Sequence, residues 1–154
     1  MIRVKDAHHL QVGDRTWFGE YDTSGSANDE ARAALSDRLG YQFDYQRRQF
    51  LVRFESGWSV SIIWGSMTYS DNHDHAFGYG PWPELIEEPE TVEAAVLHKD
   101  REGVEGDVMG YMEADALNSL LDFVSTLATT DQVQFGVIEA EADPRASWVY
   151  DRGQ

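Results

Sequence analysis

The stretch QFLVRFESGWSVSIIWG, Gln49 to Gly65, reads as a β-hairpin. Phe50, Val52 and Phe54 alternate with polar or smaller partners, the period-2 pattern of a strand with one buried face. Ser56-Gly57 supplies the turn, and Trp58, Val60 and Ile62 resume the alternation on the way back. Ile63 and Trp64 interrupt it, as a strand buried on both faces or a bulge would. An antiparallel pair therefore lies at the centre of the chain.

Working toward the N-terminus, Ile2 to Lys5 is a possible short strand. Asp22 to Asp29, DTSGSAND, is a loop of turn-forming and capping residues. It leads into a predicted helix from about Asp29 to Leu39, with Asn28 or Ser26 as cap and Gly40 as terminator. Ala31, Ala34, Leu35 and Leu39 would be its buried stripe.

Toward the C-terminus, a long connection runs from Gly65 to Thr91. Its second half, GYGPWPELIEEPE, has three prolines and cannot be a central strand or a helix interior. Thr91 to His98 reads as a strand and Val108 to Met112 as a short one. Leu117, Leu120, Leu121, Val124 and Leu127 recur at helical spacing within a second helix from about Glu113 to Ala128. Val133 to Glu139 is a last strand candidate, and Trp148 and Tyr150 could pin the tail. The expected class is α+β: a mainly antiparallel sheet of about four to six strands with two helices packed on it. Residues 1–154 would make one domain: an N-terminal extension with one helix (1–45), the sheet and second helix (46–139) and a tail (140–154).

Charge narrows the functional classes. The chain has 28 acids, 12 Lys plus Arg and a formal net charge of −16. Such a surface repels nucleic acid and anionic membranes, whose recognition needs Lys and Arg. It suits cations or a basic protein surface. No cysteine is present, which excludes disulfides, thiolate catalysis and Cys-ligated zinc. MIRVKDAHHL has charges where a signal peptide needs an apolar core, and no apolar run approaches the roughly 20 residues of a spanning helix. These features point to a cytoplasmic protein.

The segment SMTYSDNHDH, Ser66 to His75, concentrates side chains that carry chemistry. Asp71, His73, Asp74 and His75 are imidazole and carboxylate ligands of the kind that suit zinc, iron or manganese. In an extended segment His73 and His75 share a face, about 7 Å apart. His98 or the His8–His9 pair could add ligands, although the spacing fits no established zinc motif. The plainer expectation is structural: Asp71 and Asn72 hold a turn through nearby backbone N–H groups, and no metal or cofactor is bound. His73 and His75 would then face a partner, with Tyr69, Phe77, Tyr79 and Trp82 anchoring the loop. Trp58, Trp64 and Tyr69 are a third possibility, as the lining of an aromatic ligand pocket. No nucleophile elbow or Walker phosphate loop occurs, so no catalytic residue is assigned. The acidic stretches Glu84 to Glu93 and Asp100 to Asp107 could imitate a row of phosphates.

Gly57, Trp58, Val60, Ser61, Gly65, Tyr69, Asp71 and Asn72 together spell G-W-x-V-S-x-x-x-G-x-x-x-Y-x-D-N. This run resembles a segment of small uncharacterised phage proteins, in which a strand and then a Gly-Tyr pair follow. The counterparts here are Glu93 to Leu97 and Gly110-Tyr111, and the resemblance spans about residues 50–128. It implies a phage protein made in the cytoplasm of an infected bacterium, and it brings no activity with it. The leading expectation is a non-enzymatic accessory protein that binds a host or defence protein, at a basic or nucleic-acid-binding surface. It would not bind nucleic acid or membrane directly, and self-association into a homo-oligomer is compatible with it. A metal-dependent hydrolase centred on Asp71–His75 and a small-ligand binder are the alternatives.

Overall fold

A computed structural model of the chain describes residues 1–21, 34, 37–38, 47–65, 68–71, 88–135 and 149–151. The expected hairpin is the middle of a five-stranded antiparallel sheet. Strand β1 spans Ile2–Asp6, β2 His9–Val12, β3 Arg15–Phe18, β4 Glu20–Tyr21, β5 Arg47–Arg53, β6 Trp58–Gly65, β7 Val92–His98 and β8 Met109–Met112. Helix α1 (Ala114–Ser125), β9 (Gln132–Gln134) and β10 (Val149–Asp151) follow. The main sheet has the order β4-β5-β6-β7-β8, and β1-β2-β3 and β9-β10 form two smaller antiparallel sheets.

Register explains the core. Phe50 pairs with Ile62 and Ile62 with Ala94; Val52 pairs with Val60 and Val60 with Val96. All six are buried, so one pleated face of three strands is apolar without interruption. Helix α1 presents Leu117, Leu120, Leu121 and Val124 as its own buried stripe. Burying such a side chain contributes about 1.5–3 kcal/mol. The opposite sheet face is mixed: Gln49, Ile63 and Glu93 lie in one row, Leu51, Ser61 and Ala95 in the next. Gln49 Nε2 donates to Ser61 Oγ at 2.9 Å there.

Gly57 closes the hairpin with φ +95°, a region costly for L side chains. A Cβ at Gly57 would also stand 2.6 Å from Lys99 Cδ. Phe54 N–H donates to the Trp58 carbonyl at 2.9 Å and Gly57 N–H to the Phe54 carbonyl at 3.0 Å.

Several sequence expectations need correction. The main sheet has five strands, and two smaller sheets bring the described residues to ten strands; α1 is the one helix whose bounds lie within the described residues. Residues 1–21 are part of the core and not an extension from it: Ile2, Leu10 and Val12 are fully buried. The meander is tied to α1 by Asn118, which donates to the Val12 carbonyl at 2.8 Å and accepts from Trp17 Nε1 at 2.8 Å. Most of the helix expected over 29–39, with Ser26, Asn28 and Gly40, lies outside the described residues. Ala34, Asp37 and Arg38 are helical and exposed, so Ala34 does not belong to a buried stripe. Helix α1 ends at Ser125 and not Ala128, because Thr126 and Leu127 N–H bond carbonyls three residues back and tighten the last turn. Leu127 is buried all the same.

Candidate functional site

The chain leaves β6 at Gly65 through a turn built from hydroxyls. Thr68 Oγ1 donates to the Gly65 carbonyl at 2.7 Å and lies 2.8 Å from Ser70 Oγ. Both side chains are buried, so the intervening Tyr69 is directed outward by default. Tyr69 is held through its own backbone on two sides: its N–H donates to the side-chain Oε2 of Glu93 at 2.8 Å, and its carbonyl accepts from Tyr111 N–H at 2.7 Å. Gly110 makes this approach possible, since a Cβ there would be 2.6 Å from Tyr69 Cβ.

Asp71 follows and binds the start of β7 reciprocally with Thr91. Asp71 N–H donates to Thr91 Oγ1 at 2.8 Å; Thr91 N–H donates back to Asp71 Oδ1 at 3.1 Å. Thr91 Oγ1 lies 3.3 Å from the same oxygen, and Glu90 N–H reaches Oδ2 at 3.4 Å. These partners lie 19 and 20 positions away, so Asp71 fastens the two ends of the long connection to each other. This differs from a turn held by its own next residues.

Tyr69 and Tyr111 therefore meet at one corner of the main sheet, ring centroids 6.3 Å apart. They are 56% and 53% exposed, although most aromatics of this size are largely covered in a folded domain. Tyr111 has φ +51°, a left-handed conformation that costs an L residue about 1–2 kcal/mol. Glu93, half-buried, and the exposed Glu113, two residues beyond Tyr111, supply carboxylates at this end.

Other expected site residues have different fates. Trp58 and Trp64 are fully buried core residues. They occupy opposite ends of β6, roughly 20 Å apart at strand rise, and cannot line one small pocket with the exposed Tyr69. Alternation puts both on the helix-facing side with Val60 and Ile62. Asn72, His73, Asp74, His75, Phe77, Tyr79 and Trp82 lie outside the described residues. Among the described residues no three His, Asp or Glu converge as a metal site. His98 is committed elsewhere: its Nδ1 accepts from Asp100 N–H at 3.1 Å, and its Nε2 lies 2.8 Å from the Thr129 carbonyl. With Trp58 and Arg101 it docks the loop after α1; Trp58 Nε1 donates to the Ala128 carbonyl and Arg101 to that of Asp131.

The segment from Asp100 to Asp115 combines charge with apolar surface. Asp100, Glu102, Asp107, Glu113 and Asp115 are exposed, and none forms an ion pair with a described residue. Arg101, the segment's one base, pairs with Glu105 and lies over the Trp58 ring at 5.2 Å. Val104, Val108 and Tyr111 are exposed in the same segment. Backbone bonds fix its path: Glu105 N–H to the Val96 carbonyl at 2.8 Å, and Asp107 N–H to that of Phe135 at 2.7 Å.

Sequence reasoning singled out Tyr69 but missed Glu93 and Tyr111 as its neighbours. Two features pointed to them: Glu93 is the lone charge inside an otherwise apolar strand, and Gly110 precedes an aromatic residue at a sheet edge. No protein-family model matches this chain, and neither curated proteins nor solved structures give a significant match. Among the described residues no helix is long and apolar enough to cross a membrane.

Proposed function

We propose that this is a non-enzymatic binding protein that engages a basic surface of another protein. The observation that carries the reading is the segment Asp100 to Asp115. Five exposed carboxylates that form no ion pair with a described residue share this segment with exposed Val104, Val108 and Tyr111, on a backbone fixed to β7 and to Phe135. An apolar centre with a charged surround is how protein interfaces are composed, and a fixed path reduces the ordering cost of binding. A net charge of −16 steers cationic partners toward the chain and anionic polymers away. The resemblance of Gly57 to Asn72 to a phage-protein segment supports a host or defence protein as the partner, met in the cytoplasm of an infected bacterium.

The test uses the full chain as bait in a bacterial lysate, beside a variant carrying Asp100→Asn, Glu102→Gln, Asp107→Asn and Glu113→Gln. A specific partner is retained by the parent chain, released by salt and lost from the variant. Retention that ignores both salt and the four substitutions overturns the reading. Metal analysis separates it from the hydrolase alternative. About one equivalent of transition metal in the purified chain, lost on His73→Ala with His75→Ala, would move the function to the Asp71–His75 loop.

A further inference from the structure

We infer that the Tyr69–Tyr111 corner is the point where an arginine side chain of the partner is recognised, with Glu93 beside it as the carboxylate. The inference rests on the basic-partner reading and adds to it a residue-level site and a preference between cations.

The two rings lie 6.3 Å apart and more than half of each is exposed. The backbone beneath them is fixed from three directions, by Glu93, by Gly110 and by the Asp71–Thr91 pair. A rigid, exposed aromatic pair carries little ordering cost on binding, which is why tyrosine is over-represented at binding hot spots. Holding Tyr111 at φ +51° costs stability that a glycine would recover.

The occupant follows from charge and from the sheet edge. Nucleic acid, anionic lipid and a second copy of a chain with charge −16 are all repelled. A partner strand extending the sheet at β8 would meet the Tyr69 carbonyl already bonded to Tyr111 N–H, so recognition is by side chain. Among cations, arginine suits the corner better than lysine. Its planar guanidinium lies flat on a tyrosine face, and it presents a fork of donors to a carboxylate. The chain uses the same pairing internally, with Arg15 over Trp17 at 4.3 Å and Arg48 over Tyr21 at 5.8 Å.

The test titrates the isotope-labelled full chain with a capped peptide alternating arginine and glycine, in about 0.15 M salt to suppress diffuse attraction. The lysine peptide of equal charge and an uncharged leucine peptide are the controls. The arginine peptide is expected to shift the amide resonances of Tyr69, Glu93 and Tyr111 first. It should bind at least about threefold more tightly than the lysine peptide, because only the guanidinium stacks flat and forks onto the carboxylate. Tyr69→Ala and Tyr111→Gly should each weaken arginine binding by at least about threefold. Tyr111→Gly relieves the positive-φ strain but also removes the ring contact with Tyr69, so its melting temperature is measured alongside its affinity. Should that variant melt lower, the resonance shifts of the parent chain decide the matter alone. Arginine and lysine peptides that bind equally, or shifts centred away from the corner, overturn this inference and leave the basic-partner reading standing. No binding of either cationic peptide, or tighter binding of the leucine peptide, overturns both.

Discussion

The Trp58 indole N–H donates to the Ala128 carbonyl at 2.9 Å, joining the first residue of β6 to the loop beyond α1 across 70 positions. Around it, His98 packs edge-on against the indole at 4.7 Å and binds the next carbonyl, that of Thr129. Thr129 Oγ1 in turn donates to the Ser56 carbonyl at 2.6 Å. The closed end of the hairpin thus holds the end of the helix through side chains that read, in isolation, as ligand-binding residues.

Trp58→Phe should therefore destabilise the fold by about 2–3 kcal/mol. It leaves the Ala128 carbonyl without its donor and opens space in a close-packed site. The loss should concentrate in faster amide exchange over 126–131, because those residues lose their tie to the sheet. Urea denaturation gives the total. A change below about 0.5 kcal/mol would mean that the indole bond is replaced by water at no cost.

Asp71→Ala removes the acceptor for Thr91 N–H, Thr91 Oγ1 and Glu90 N–H together. The group is exposed, so water takes over part of the bonding and the expected cost is about 0.5–1.5 kcal/mol. The sharper readout is local. The Thr91 amide should exchange many times faster while β5 amides keep their rates, since the two ends of the long connection are no longer fastened. An unchanged Thr91 rate would show that the strand start is held by something else.

How far these features were legible follows from how local their causes are. The β5–β6 hairpin is encoded within 17 residues by alternation and one glycine, so it could be read directly. The β2–β3 hairpin has the same grammar, Leu10 and Val12 before Gly13-Asp14 and Trp17 after it. With so few apolar residues per strand, its alternation is too short to stand out. Trp58 shares the alternation of Val60 and Ile62 in the sequence, and the apolar Ile63 hides that Trp64 continues it. Parity places both on the core face. The Tyr69–Tyr111 corner was legible only as separate hints, the charge of Glu93 and the Gly110-Tyr111 pair, and not as one site. It depends on β8 lying beside β7 and on a register irregularity between Val92 and Ala94, neither of which leaves a local trace. Asp71 was readable as a structural residue, but its partners were not, because turn propensity describes only the nearest backbone.

Acid should loosen the first hairpin. The His8 N–H bonds Asp6 Oδ1 at 2.8 Å, and the His9 ring lies 2.7 Å from the same carboxylate. These contacts, the backbone bond first, hold the Asp6 carboxyl below its ordinary value. A depressed folded-state value means that the stabilisation is complete above the ordinary carboxylate range and disappears as pH falls through the lowered one. The parent chain and Asp6→Asn should thus differ in urea midpoint near pH 5 and converge toward about pH 2. A constant difference across that interval would show that the carboxylate's charge is not what the turn uses.

The helix tests whether the sheet and α1 form one core. Leu120 and Leu121 are fully buried on α1, in the same cluster as Val60, Ile62 and Ala94 of the sheet and Leu10 and Val12 of the meander. Adjacent residues on a helix point about 100° apart, so the pair spans a wide apolar face rather than a single seam. Leu120→Ala or Leu121→Ala removes transfer free energy and leaves a cavity that rigid strands cannot collapse into. Each should cost about 2–5 kcal/mol. The polar tie alongside is a useful contrast. Asn118→Ala leaves the Val12 carbonyl and the Trp17 indole N–H without a partner, and should cost about 1–3 kcal/mol with faster exchange confined to β2 and β3. Should both leucine variants lose less than about 1 kcal/mol, α1 would not pack on the sheet as described. The frame that fixes β7, β8 and the Tyr69–Tyr111 corner would then lack its support.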